Sequence, residues 1–213
     1  MSGACAVFLD RDGVLNELVY DAAARACESP LKVEDVRLVA GVGAALGRLQ
    51  RAGAVLVCVS NQPAAAKGSV STRQLAAVHA RVLELLAREG IHLAASRLCL
   101  HHPDGIVPEL AGRCACRKPA PGMLLELAAA LQIDLGASWM VGDTDADVGA
   151  GRAAGTRTLL IDYPGSAHKR HSQIRPDLNA TALPEGVAKI IDACTVGDSN
   201  AERISREVLK MQQ

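Results

Sequence analysis

Asp10 and Asp12 stand on either side of Arg11 in "VFLDRDGVLN" (7–16), at the point where an apolar run ends. Like charges this close repel, so at neutral pH they call for a cation or a shared proton. Mg²⁺ is the usual remedy, because it favours one or two carboxylates together with substrate phosphate and water. A second apolar run ends in acid as well: "MVGDTDADVG" (140–149) places Asp143 at its tip, with Asp145 and Asp147 behind it. Asp10, Asp12 and Asp143, drawn from two segments, make a Mg²⁺ cradle. Asp145 and Asp147 equally suit the acidic first turn of a helix.

A phosphate brought to such a metal adds negative charge, so the same rim must offer donors. "VSNQ" (59–62) supplies the Ser60 hydroxyl and neighbouring backbone N–H groups, and "CRKPAPG" (116–122) supplies Arg117 and Lys118. Singly, each is ordinary turn or loop chemistry. Jointly, carboxylate, hydroxyl, lysine and second carboxylate follow one another in an order that suits successive strand ends of one sheet.

The third constellation is sulfur. "CLHHPDGIVPELAGRCACRKP" (99–119) reads Cys-x-His, twelve residues, then Cys-x-Cys. Cys99, His101, Cys114 and Cys116 would close a tetrahedral S₃N zinc site, with His102 as the alternative nitrogen. The chain has seven cysteines, an odd number, and clustered thiols in a cytoplasmic chain point to metal before disulfides. Cys116 adjoins Arg117 and Lys118, so structural zinc there would preorganise the phosphate donors.

These residues need a frame. Apolar runs at 4–9, 54–60, 97–100, 138–142 and 157–162 read as buried strands. Helix-spaced apolar residues fill 41–53, 71–90 and 121–133, and more weakly 145–155. Ser71 with Gln74 forms a capping-box pattern. Strands alternating with helices predict a Rossmann-like α/β fold, a three-layer α/β/α parallel sheet, whose site lies beyond the carboxyl ends of the strands. Residues 1–194 read as one domain containing the zinc-stabilised loop (99–118). Residues 195–213 read as an appended C-terminal helix or tail, striped by Ile204, Val208 and Met211.

Composition narrows the classes. The 213 residues carry 23 basic and 23 acidic side chains, a net charge of zero, which gives no footprint for nucleic acid or an anionic membrane. The aromatics are Phe8, Tyr20, Trp139 and Tyr163, too few for base-stacking platforms. No apolar run reaches the ~18 residues of a membrane span. The expectation is a cytoplasmic protein, monomer or homodimer.

"FLDRDGVLN", "VSNQ", "RKP" and "VGDTDAD" resemble the four ordered motifs of the haloacid dehalogenase-like (HAD) phosphatases, and the resemblance covers residues 5 to about 165. It implies an aspartyl-phosphate mechanism with Asp10 as nucleophile and Asp12 as general acid/base. Ser60 and Lys118 would hold the phosphoryl group, and Asp143 would complete the Mg²⁺ site with Asp10 and the Asp12 backbone carbonyl. The cysteine loop resembles the zinc-loop branch, which contains heptose bisphosphate phosphatases and histidinol-phosphatases. That implies a phosphorylated-sugar substrate, foremost the 7-phosphate of D-glycero-D-manno-heptose 1,7-bisphosphate, with histidinol phosphate or another sugar phosphate as alternatives. Asn61, Gln62, Lys67 and Arg117 would be substrate-binding. Two positions depart from the heptose pattern: Thr144 replaces a common lysine, and Pro63 a small polar residue. Residues 13–40 are too few for a large cap domain. A phospho-aspartate receiver switch shares the aspartate, hydroxyl, lysine and Mg²⁺, but lacks an acid two residues after the nucleophile.

Overall fold

The computed structural model describes residues 4–22, 25–171 and 173–194, so the expected terminal stripe of Ile204, Val208 and Met211 lies outside the described residues. The first strand, β1 (Ala6–Leu9), is buried along its whole length. A short antiparallel hairpin follows, β2 (Val19–Asp21) with β3 (Ala26–Glu28). The chain then runs α1 (Val42–Arg51), β4 (Val55–Asn61), α2 (Thr72–Arg88) and β5 (Ala95–Cys99). It continues with α3 (Gly122–Leu131), β6 (Trp139–Gly142), α4 (Asp145–Ala154), β7 (Arg157–Ile161) and β8 (Leu178–Ala180). Residues 183–194 are helical (α5).

Six strands pair in parallel in the order β5-β4-β1-β6-β7-β8. Alternation along β1 sorts its side chains between two cores. Val7 and Leu9 face one layer with Leu46 and Leu49 of α1, Val82 and Leu86 of α2, and Val187 and Ile190 of α5. Ala6 and Phe8 face the other with Met123 and Leu124 of α3 and Ala150 of α4. Strands covered on both faces read as unbroken apolar runs, which is why the parallel sheet was visible in the sequence.

Burial rather than surface charge holds the helices in place. In α2, Leu75, Val78, Val82 and Leu86 are buried, at roughly 1.5–3 kcal/mol each. The solvent-exposed Arg81–Glu84 and Arg88–Glu84 pairs are screened by water and add little. The helix starts on Ser71, whose hydroxyl accepts from the Gln74 backbone N–H at 3.1 Å. The reciprocal half of that box is absent: the Gln74 amide donates to Leu31 O instead, at 2.8 Å.

From β1 the chain builds outward through β4 to β5, then returns across β1 to lay down β6 on its other side. The reversal opens a crevice between the carboxyl ends of β1 and β6, the usual ligand position in such sheets. Asp10 directly follows β1 and Asp143 directly follows β6.

Candidate active site

Asp10, Asp12, Ser60, Lys118 and Asp143 line one cleft of about 510 Å³ at that reversal, and each is buried below the rim. Lys118 is the hub. Its Nζ lies 2.9 Å from Asp10 Oδ1 and 2.5 Å from Asp147 Oδ1, and it donates to Val59 O at 2.7 Å. Burial opposes the lysine charge, yet the Asp10 and Asp147 carboxylates hold its pKa above the ordinary lysine value. Burial, reinforced by Asp147, pushes Asp10 up to about 6 against the pull of Lys118. Asp143 is driven well above the usual carboxylate range, first by burial, then by Asp10 and Asp147.

Asp12 shares the strand end but not the environment. Its Oδ1 accepts from Arg11 Nε (3.1 Å) and Asn16 Nδ2 (2.9 Å); its Oδ2 accepts from Arg11 Nη2 (3.0 Å) and Gln62 Nε2 (2.5 Å). Burial alone would raise its pKa, but Arg11, Asn16, Gln62 and Ser29 outweigh it and hold the carboxyl below its ordinary value. Two acids separated by one residue are thus pushed in opposite directions, the pattern of groups with different chemical tasks.

Asp10, Asp143 and Asp147 each offer an oxygen within 4.8 Å of the others. Asp143 Oδ1 is buried and accepts no hydrogen bond from the described residues. Gly13, at φ +84°, leaves Asp143 its room: a Cβ there would lie 2.1 Å from Asp143 Oδ2. An all-oxygen set with an unpartnered buried acceptor fits a hard divalent cation.

All four expected substrate-binding residues, Asn61, Gln62, Lys67 and Arg117, line the cleft. Asn61 is turned to Lys118, donating to its carbonyl oxygen at 3.0 Å and accepting from its N–H at 3.0 Å. Gln62 is almost fully buried and bridges Asp12 to Ser60 Oγ (3.0 Å) while accepting from Arg11 Nη2 (2.8 Å). Both amides therefore position other side chains.

Sequence reasoning missed Asp147 and Arg11. Asp147 does cap α4, its Oδ2 accepting from Thr144 N (3.0 Å) and Thr144 Oγ1 (2.6 Å), but its other oxygen reaches Lys118. The Gly142 position explains how: a Cβ there would fall 2.1 Å from Asp147 Cβ, so glycine admits this carboxylate against the strand tip. Arg11 was given no role in the sequence, yet it is wholly buried.

Cys99, His101, Cys114 and Cys116 converge beside β5. Cys116 Sγ is 3.1 Å from Cys99 Sγ, 3.2 Å from Cys114 Sγ and 3.5 Å from His101 Nδ1. Bonds of about 2.3 Å to sulfur and about 2.0 Å to nitrogen imply ligand separations of roughly 3.5–3.8 Å around a tetrahedral zinc. The cluster therefore fits zinc after small outward shifts. His102 is engaged elsewhere, its Nδ1 accepting from Asp104 N at 3.1 Å. Arg117 Nη1 donates to His101 O at 3.2 Å, and Ala66 O accepts from both Ile106 N (2.8 Å) and Val107 N (3.1 Å). The cysteine loop thus grips the segments that carry both Arg117 and Lys67.

The HAD-hydrolase-like family model matches residues 115–186. The D-glycero-beta-D-manno-heptose-1,7-bisphosphate 7-phosphatase of Yersinia pestis is 35% identical over 188 residues, 85% of this chain and 94% of that protein. A D-glycero-alpha-D-manno-heptose-1,7-bisphosphate 7-phosphatase of Photorhabdus laumondii is 34% identical over 173 residues, 81% of this chain and 87% of that one. Among solved structures, the D,D-heptose 1,7-bisphosphate phosphatase of B. bronchiseptica, complexed with magnesium and phosphate, superposes with a TM-score of 0.74. That pair is 27% identical and covers 89% of this chain and 99% of the other.

Proposed function

The chain belongs to the HAD-like hydrolases and is a phosphatase, and we propose that it removes the 7-phosphate from D-glycero-D-manno-heptose 1,7-bisphosphate in the cytoplasm. The observation that carries this reading is the cleft itself. Asp10, Lys118 and Ser60 gather at its floor, and the cations Lys67 and Arg117 line its wall, suited to a second phosphate. Relatives named for this activity at about a third identity support it.

Asp10 attacks the terminal phosphorus in line, forming a P–O bond as the bond from phosphorus to the sugar oxygen breaks. Asp12, held as a carboxylate by Arg11, Asn16 and Gln62, first takes a proton from solvent and then passes it to that oxygen as the bond breaks. It then takes a proton from water, which attacks phosphorus, frees inorganic phosphate and restores the Asp10 carboxylate. Lys118 and Ser60 hold the non-bridging oxygens while Gln62 fixes Ser60 relative to Asp12. Asp10, Asp143 and the Asp12 carbonyl would hold Mg²⁺, which when bound offsets the charge that builds on the phosphoryl group.

Thr144 caps α4 through Asp147, so the commonly basic position after the metal aspartate is here a structural hydroxyl. The sugar-reading charge then rests on Arg117 and Lys67. Specificity constants for both heptose bisphosphate anomers, histidinol phosphate and fructose 1,6-bisphosphate test the substrate, with Asp10→Asn as the inactive control. A heptose bisphosphate at least tenfold ahead of the rest is expected. Preference for histidinol phosphate would overturn the reading.

A further inference from the structure

Asp143 is held from behind by a segment that the catalytic reading does not use. After β7 the chain forms a short 3-10 turn, Pro164–Lys169, ending at Arg170. Arg170 Nη1 donates to Asp143 O at 3.0 Å, to Tyr163 O at 3.0 Å and to Ser166 Oγ at 2.9 Å. Ser166, wholly buried, offers its one hydroxyl proton to the same Asp143 carbonyl at 3.1 Å and to Tyr163 O at 3.0 Å. The other prong of Arg170, Nη2, is anchored on Asp162 Oδ1 at 2.6 Å. The neighbouring Lys169 Nζ pairs with Glu28 Oε2 of the hairpin at 2.8 Å.

This arrangement addresses a specific physical problem. An oxygen of the Asp143 carboxylate lies within 4.8 Å of oxygens of Asp10 and Asp147, and like charges this close repel. Asp143 Oδ1 has no hydrogen-bond donor among the described residues. Two donors on the backbone carbonyl fix the peptide after β6 and with it the direction in which Cα–Cβ points.

We propose that Arg170 and Ser166 are positioning residues for the divalent-cation site: they clamp the Asp143 backbone so that its carboxylate faces Asp10 before any ion arrives. The proposal rests on the reading of Asp10 and Asp143 as cation ligands. Removing outer partners of metal ligands weakens metal affinity by about 10–100-fold in general. A side chain that served stability alone would lower the melting temperature and leave affinity untouched.

The test is equilibrium binding of Mg²⁺ by calorimetry and of Mn²⁺ by electron paramagnetic resonance, on the full chain without substrate. Wild type, Asp143→Asn, Arg170→Gln, Arg170→Lys and Ser166→Ala are compared, with metal-free melting recorded for each. Wild type should bind one ion at the site, and Asp143→Asn should abolish that binding. Arg170→Gln should weaken it about tenfold and Ser166→Ala in the same direction, with partial recovery in Arg170→Lys. Were Asp143→Asn to bind as wild type does, the cation-site reading itself would fall. Should Asp143→Asn lose the ion while Arg170→Gln and Ser166→Ala keep wild-type affinity, the clamp alone is overturned. If Arg170→Gln does not fold, Ser166→Ala decides, because it deletes one hydroxyl.

Discussion

Arg11 closes a two-pronged ion pair on Asp12, Nε to Oδ1 at 3.1 Å and Nη2 to Oδ2 at 3.0 Å, with the arginine fully buried. The pair fixes the carboxylate plane and, through Gln62, ties it to Ser60. Removing one partner of a buried pair leaves the other uncompensated, so Arg11→Met should destabilise the fold by about 3 kcal/mol and lower kcat more than it raises KM. Arg11→Lys should not restore either, because an ammonium cannot form the fork. Urea melts and steady-state phosphate release measure both. Wild-type stability in Arg11→Met would refute the pairing.

The cysteine loop makes a second prediction. Elemental analysis should find about one zinc per chain, lost in Cys114→Ser. Stripping zinc at constant Mg²⁺ should reduce turnover and raise KM, because Lys118 follows Cys116 by two residues and Arg117 leans on His101 O. The Gly122 N–H donates to Ala115 O at 3.0 Å, binding this knuckle to the start of α3. Unchanged turnover after zinc removal would show that the loop does not organise the donors.

What could be read from sequence divides along a physical line. The sheet was legible because parallel strands are apolar on both faces, and Asp10, Ser60 and Asp143 were legible because such folds do chemistry at strand ends. The hairpin was not: three-residue strands with half-exposed side chains carry too short a pattern. Nor was β8, for the same reason. Leu183, Val187 and Ile190 carry a helical spacing that suits α5, but no helix was read between residues 162 and 195. Asp147 hid behind a second good explanation, since acid in a first helical turn needs no further cause. Arg170 and Ser166 act on a backbone carbonyl, a group every residue has, so no residue pattern announces them.

His79 supplies a pH dependence. Its Nε2 lies 2.8 Å from Ser96 Oγ, and its Nδ1 is buried without a partner among the described residues. Burial and then the Arg11 charge push its pKa down to about 4, with Asp12 opposing. The unfolded chain takes up this proton near pH 6.5 and the folded chain only near 4. The contribution of neutral His79 is therefore complete above about pH 6.5 and is lost as pH falls toward 4. Its ring resonances should stay those of the neutral form at pH 5.5, and His79→Gln should flatten the acid side of the stability profile. A midpoint at or above 6.5 would contradict the burial.

Gly13 offers the sharpest separation of cause from effect. At φ +84° any side chain is strained, and a Cβ would also meet Asp143 Oδ2 at 2.1 Å and Asp143 Cγ at 2.7 Å. Asp143 cannot easily retreat, because Ser166 and Arg170 hold its carbonyl. Gly53 has nearly the same backbone, φ +82°, but nothing within 4 Å of where its Cβ would stand. Gly13→Ala and Gly53→Ala therefore share a conformational cost of about 1–2 kcal/mol, and only the first collides with the acidic cradle. Gly53→Ala should lose that stability and keep both Mg²⁺ affinity and kcat. Gly13→Ala should lose more stability, bind Mg²⁺ at least tenfold more weakly and turn over at a small fraction of the wild-type rate. Equal Mg²⁺ affinity in the two variants would mean that Asp143 has room to move, and its carboxylate would not then be the fixed point of the site.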